Sequence, residues 1–470
     1  MRVWQALEVS RLCMALALTA STGYAAGFAG GDGTADRPYQ IASPEQLVAL
    51  GQDPNLWDKH FVLTRDLDMK GADSKAIRPI GTGENPFLGV FDGGDHRIAD
   101  LCLLRHDFEI GSGLFGYIGV NTVAFRDRKP AAGHVRNLRL DNVYIQCEAL
   151  GIGGLAGILA DGTITDCSVS GTVKGKDTIY RVGGLVGRAF GQITRCTANV
   201  AVYGENGTGG LAGEVCGAEL TLCSSSGRVE QSGRVEASGR AGGLVGVVQF
   251  WNYTDGIREN KLEQIIAPGV ILRCRSECSV SGKETIGGLI GHAFGSGRIE
   301  DCYATGFVSG SATVGGLIGE NEGSSVIRCY ATGRVLGEEE TGGLIGYNEL
   351  PNDPALVSYP PCQLIVERIQ EPASSGGAQG PRWRVVHRPA ILSCFWDAEA
   401  SGMVRGLGAG TDAQGGITRL TSAEMRTAAT FRNFGWDFES IWIMREGKPC
   451  PQLRWEQDQP RKPGAAADQK

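Results

Sequence analysis

Past residue 25, no stretch of this 470-residue chain is apolar for 18 residues, so nothing there can cross a membrane as a helix. Runs of Lys and Arg are missing as well. With a formal net charge of -7 and a pI near 5.6, nucleic acid and anionic membranes are poor partners. The chain has no His-Glu-x-x-His, no Gly-x-Ser-x-Gly and no phosphate-binding loop. Zinc peptidases, elbow-type serine hydrolases and P-loop enzymes therefore lack their defining residues. Helical periodicity is absent, and 71 glycines penalise helix throughout. Those glycines follow no strict G-X-Y period, which excludes collagen.

What the chain has is a repeat. Gly-Leu motifs centre on Leu114, Leu155, Leu185, Leu211, Leu244, Leu289, Leu317 and Leu344, at spacings of 41, 30, 26, 33, 45, 28 and 27 residues. Between them lies a second motif, Cys-x-x-x-Gly-x-Val, starting at Cys167, Cys196, Cys223, Cys302 and Cys329. Cys274 fits the series with Cys278 in the glycine slot, Asn137 is read in the cysteine slot, and Cys394 closes it. A repeat of this length with two or three short alternating strands is one coil of a parallel β-solenoid. The fold class expected is all-β, a right-handed parallel β-helix with short helical or irregular caps. In this reading each glycine pair turns a corner through positive φ. Each Leu and Cys points inward and stacks on its equivalents, the thiols unbonded and behaving as small hydrophobes. Cys274 and Cys278, with His292 downstream, have a metal-like spacing, but no second cysteine pair completes it. No metal or cofactor is expected, and no carboxylate pair is expected to be built into the repeat itself.

These motifs resemble those of bacterial surface and secreted proteins with GLUG repeats, which occur in adhesin-like proteins and beside certain secreted immunoglobulin A peptidases. The resemblance extends to "GDGTADRPYQIASPEQLVAL" (31–50), "IRPIGTGENPFLGVFDGGDHRIADL" (77–101) and the closing "GWDFESIWIMREGKPCPQLRW" (435–455). It implies a parallel β-helix at the cell surface or secreted, and it implies no single activity, because such repeats serve as scaffold.

Residues 1–25, with Arg2 and Arg11 ahead of "LCMALALTA", read as a signal peptide. The destination expected is secreted, cell-surface or periplasmic. Residues 31–55 are expected to form an N-terminal cap, with a helix from Ser43 and a Ser43/Gln46 capping box. The β-helix is expected over 56–400, a C-terminal cap over 401–455 and a disordered tail over 456–470. "TSAEMRTAATF" reads as a helix capped by Thr421 or Ser422, and Trp436, Phe438, Trp442 and Leu453 are expected to cover the last coil. Asp66 and Asp68 are read as anchors of the N-terminal cap. Asp92, Asp95 and His96 form no calcium set, since no Asp series recurs with the coils.

Counting from each Gly-Leu to the next cysteine slot gives 11 to 13 residues in five coils, but 23, 30 and 50 after Leu114, Leu244 and Leu344. Three insertions, near 117–134, 247–270 and 348–388, therefore leave one corner of the solenoid. They stand roughly 19 and 14 Å apart along its axis at about 4.8 Å per coil. Plain coils between raised insertions make a groove for an extended ligand. The second insertion offers Trp251, Tyr253 and Arg258 for stacking and charge, with Asp255 and Glu259 as acid and base candidates. The third offers Arg382, Trp383 and Arg384. The function these features imply is a non-catalytic, adhesin-like protein binding a polysaccharide, another extended polymer or a surface protein. The alternatives are a glycoside hydrolase or lyase and a purely structural surface-layer component.

Overall fold

The computed structural model describes residues 27–104, 109–120, 131–175, 181–232, 239–249, 251–253, 265–267, 269–295, 297–349, 365–368, 383–387, 390–412 and 415–457. The chain winds as a parallel β-helix. One coil runs Gly162–Thr165, Ser168–Gly175, Arg181–Gly183 and Val186–Ala189. Each of these four segments pairs in parallel with its counterpart one coil away. Four long sheets result, named A, B, C and D in the order the coil visits them. A coil thus holds four strands rather than two or three, because the Gly-Gly-Leu bend splits one extended segment into a C strand and a D strand.

The leucines stack as their spacing demands. Leu289 N–H donates to Leu317 O at 2.8 Å, and Leu317 N–H to Leu344 O at 2.8 Å. All three side chains are fully buried. The glycine pair has a different cause from the one expected. None of these paired glycines has positive φ. A Cβ on Gly288 would stand 2.1 Å from Gly316 O, and one on Gly316 would stand 2.2 Å from Gly343 O. Close approach of successive coils, not left-handed backbone, demands glycine here. Positive φ falls instead on the residue before each cysteine that opens the second motif, including Asp166, Arg195, Arg273, Asp301 and Arg328. The same column holds Asn137, because Arg139 pairs with Ser168 and so Leu138 pairs with Cys167. The cysteine slot of that coil is therefore Leu138, one residue later than the sequence pattern suggested.

The cysteines form one continuous column through the second insertion, with Cys223 N–H donating to Cys274 Sγ at 3.4 Å. Each thiol also donates across the left-handed corner to the carbonyl two residues back, as Cys302 does to Glu300 O at 3.1 Å and Cys329 to Ile327 O at 3.2 Å. A small apolar group with a weak donor suits this slot. Cys302 and Cys329 are buried and free, and burial pushes both thiols well above the usual cysteine pKa. Alkylating reagent should leave both unmodified in the native protein, and both should react under denaturing, non-reducing conditions. Intact mass reads the result, and a disulfide at either position would overturn it.

At the N-terminal end the helix Pro44–Gln52 buries Leu47 and Leu50 against the first coil. Ser43 makes no side-chain cap, and the Gln46 carboxamide accepts from Ala42 N–H at 2.7 Å instead. Asp66 and Asp68 make separate contacts. Asp66 accepts from Arg97 N–H and Nε in the next coil, and Asp68 accepts from Lys70 N–H. Asp92 is occupied by Arg136 and Asn137.

At the other end the expected helix is two short pieces, Glu424–Arg426 and Ala428–Arg432. Thr421 and Glu424 form the capping box, while Ser422 donates to Asp397. The aromatic segment does not sit over the last coil. Trp436, Phe438, Trp442 and Leu453 pack against Tyr303, Tyr330 and Phe395, which project from the flank of sheet B. Trp455 reaches as far as Arg273 O, at 2.9 Å. Tyrosine or phenylalanine directly after the cysteine gives sheet B an apolar outer face in these coils, and the tail of the chain covers it.

Candidate functional site

The three long excursions all connect sheet D to sheet A. They run from Ile118 to Gly133, from Gln249 to Val270 and from Glu349 to Ile391. Between the first and second, the D–A corner is bare over three coils and forms a surface hollow of about 510 Å³. Its floor is Gly162, Gly191 and Gly217, and its sides are Asp161, Thr163, Phe190, Gln192, Ala218, Glu219 and Val270. Gly162 has φ +104, and a Cβ there would stand 2.0 Å from Gly133 O, so this position can carry no side chain. Phe190 is half-buried, with the Arg188 guanidinium 5.3 Å from its ring centre. A second hollow of about 450 Å³, between Trp57, Asp58, Glu84, Val120 and Ala131, flanks the root of the first excursion.

Beside the corner, the outer face of sheet D carries a polar column at a fixed offset after each leucine. Register places Arg188, Glu214, Val247, His292, Glu320 and Tyr347 in line, one per coil. Two residues further on stand Cys216, Gln249, Phe294, Glu322 and Glu349. The positions between the columns, such as Val215, Val248 and Ala293, face the core.

Two charged groupings occupy this face. In the lower one the Glu214 carboxylate, 1% exposed, accepts from Arg181, from Arg188 at 3.0 Å and from Gln249. Burial alone would raise its pKa, but the charges and hydrogen bonds of the two arginines hold it below the usual glutamate value. The upper one joins His292, Glu320 and Glu322. Burial and the neighbouring Glu322 push the Glu320 carboxyl up to about 7. The His292 imidazole holds Glu322 below its ordinary value, and burial lowers His292 itself. Glu320 and Glu322 are thus a carboxylate pair on a single coil, at positions that hold His292 and Phe294 one coil before and Tyr347 and Glu349 one coil after. The signal was present: His292 and Glu320 each lie three residues after their leucines, and Glu322 five after its own.

Of the residues singled out from the sequence, Trp251 and Tyr253 lie on a strand, 251–253, paired antiparallel with 265–267. Trp383 and Arg384 begin a strand, 383–387, paired antiparallel with 365–368. Arg258, Arg382, Asp255 and Glu259 lie outside the described residues. Cys274 and Cys278 are buried in separate interior clusters, neither of which contains His292.

Four copies of the GLUG motif are present, at residues 148–174, 179–203, 282–309 and 310–336. Halomucin of Haloquadratum walsbyi is 31% identical over 164 residues, which is 33% of this chain and 2% of halomucin. A protein of Evansella cellulosilytica assigned as a Gly-rich membrane protein is 35% identical over 150 residues, 30% of this chain and 15% of that protein. The chain therefore spans only a small part of these relatives. Among solved structures, a Bacteroides ovatus protein assigned as an immunoglobulin A1 protease aligns with a TM-score of 0.41 and 18% identity, over 91% of this chain and 95% of that one. No residue role transfers at that similarity.

Proposed function

We propose that this protein is an exported, non-catalytic binder that lays an extended polymer, a polysaccharide foremost, along the D–A corner. The observation that carries this reading is the glycine-floored hollow between the first and second excursions. A floor without side chains admits a chain-like ligand and leaves backbone groups to meet it. Phe190 at its side supplies a ring for a sugar face, and Asp161, Gln192 and Glu219 supply hydroxyl acceptors. The hollow spans three coils, a length that suits several linked units rather than a single small molecule. Matches to halomucin and to a Gly-rich membrane protein support a place outside the cell. Trp251, Tyr253, Arg258, Arg382, Trp383 and Arg384 extend the same corner in this proposal.

A glycan array on the purified chain, followed by a reducing-sugar and unsaturated-product assay on every hit, tests the reading. Binding without turnover is the expected result. Replacing Phe190 with alanine should weaken it about tenfold, the worth of one aromatic contact. Turnover lost on changing Asp255 or Glu259 would replace the proposal with a hydrolase or lyase. Self-assembly without glycan or surface-protein binding would replace it with a structural role.

A further inference from the structure

The second bare stretch of the D–A corner, between the second and third excursions, bears His292 on one coil and Glu320 and Glu322 on the next. The His292 side chain is 5% exposed, and among the described residues neither ring nitrogen has a partner within hydrogen-bond distance. A buried imidazole with both nitrogens unsatisfied is costly and calls for a ligand. Its Nε2 points between the two carboxylates, 3.6 Å from Glu322 Oε1 and 3.9 Å from Glu320 Oε2. Those distances exceed a hydrogen bond. They match donors that share an ion: with bonds of about 2.1 Å, ligand atoms of a tetrahedral site lie about 3.4 Å apart. Both acids are about a quarter exposed, so the cluster opens to solvent on one side.

We propose that His292, Glu320 and Glu322 bind a divalent cation of the zinc type, three protein ligands with the fourth position open. The imidazole donor selects against calcium and magnesium, which take oxygen sets. Arg240 on sheet C bears on the two glutamates without pairing with either, and it offsets part of their charge. No cysteine takes part, which separates the site from the thiol column.

The test is titration of the chelator-treated full chain with Zn²⁺ by calorimetry, and with Co²⁺ by visible absorption. One equivalent of each should bind, with the Co²⁺ spectrum of a site lacking thiolate charge transfer. Glu322→Gln, which keeps shape, should weaken Zn²⁺ binding at least about 100-fold, the upper end of what loss of an outer partner costs. His292→Ala should abolish it, and unchanged circular dichroism in both variants shows that the fold persists. Undiminished binding in Glu322→Gln, a thiolate signature with Co²⁺, absence of binding, or preference for Ca²⁺ over Zn²⁺ would each overturn the proposal. None of these outcomes depends on glycan binding.

Discussion

Replacing Gly316 with alanine lowers the stability of the fold by about 3 kcal/mol or more, at the upper end of what overpacking costs. The added Cβ would stand 2.2 Å from the Gly343 carbonyl oxygen and 3.1 Å from the Ala331 side chain. A carbon and a carbonyl oxygen need about 1 Å more than the first of these distances. The coils cannot part locally to supply it, because Leu317 N–H donates to Leu344 O at 2.8 Å directly beside the contact. Gly288→Ala should behave alike, since its Cβ would meet Gly316 O at 2.1 Å. Gly27→Ala, where a Cβ would meet nothing within 4 Å, is the control. Urea unfolding followed by circular dichroism measures the three. A cost below about 1 kcal/mol for Gly316→Ala would mean that the coils yield, contrary to close packing.

Glu214→Ala should cost about 3–5 kcal/mol, the range for breaking a buried ion pair from one side. The loss comes chiefly from what is left behind: Arg181 and Arg188, 19% and 27% exposed, would face each other without an anion. The same carboxylate predicts a pH dependence. Its folded pKa lies below the unfolded value near 4.5. Its contribution is therefore fully present above that value and is lost as the pH falls below 4.5 through the folded pKa. Glu214→Gln should be less stable than the natural chain at pH 7, and the gap should narrow as the pH drops into that range. Urea midpoints at several pH values give the comparison, and a gap that stays constant with pH would refute the role assigned to the Arg181–Glu214–Arg188 group.

The repeat was legible because burial in a solenoid is periodic. Leu289, Leu317 and Leu344, and the cysteines from Cys167 to Cys394, occupy equivalent positions in successive coils, and each fills the same interior space. The corner used by the three excursions follows from the same counting. Individual slots were less secure: Asn137 and Leu138 differ by one residue, and only strand pairing decides which is buried. The glycine pairs were read correctly as bends and wrongly in cause, because composition does not distinguish positive φ from a neighbour's carbonyl at van der Waals range.

The sequence by itself determined the fold, the two stacked columns and the corner from which the excursions leave. All three depend on spacing along the chain, and spacing is written in the order of residues. Only the tertiary structure decided what the polar positions do. Parallel stacking brings residues a whole coil apart into contact, so His292 meets Glu320 through strand pairing. The offset from the leucines aligns them, but it does not say whether that face is open or covered. Folding sheet C against sheet D brings Arg181 to Glu214 and Arg240 toward Glu320 and Glu322, turning separate surface positions into charge clusters. The aromatic tail is the same case: its composition marks it as a cap, while the outward-facing Tyr303–Tyr330–Phe395 column of sheet B decides that it caps the flank.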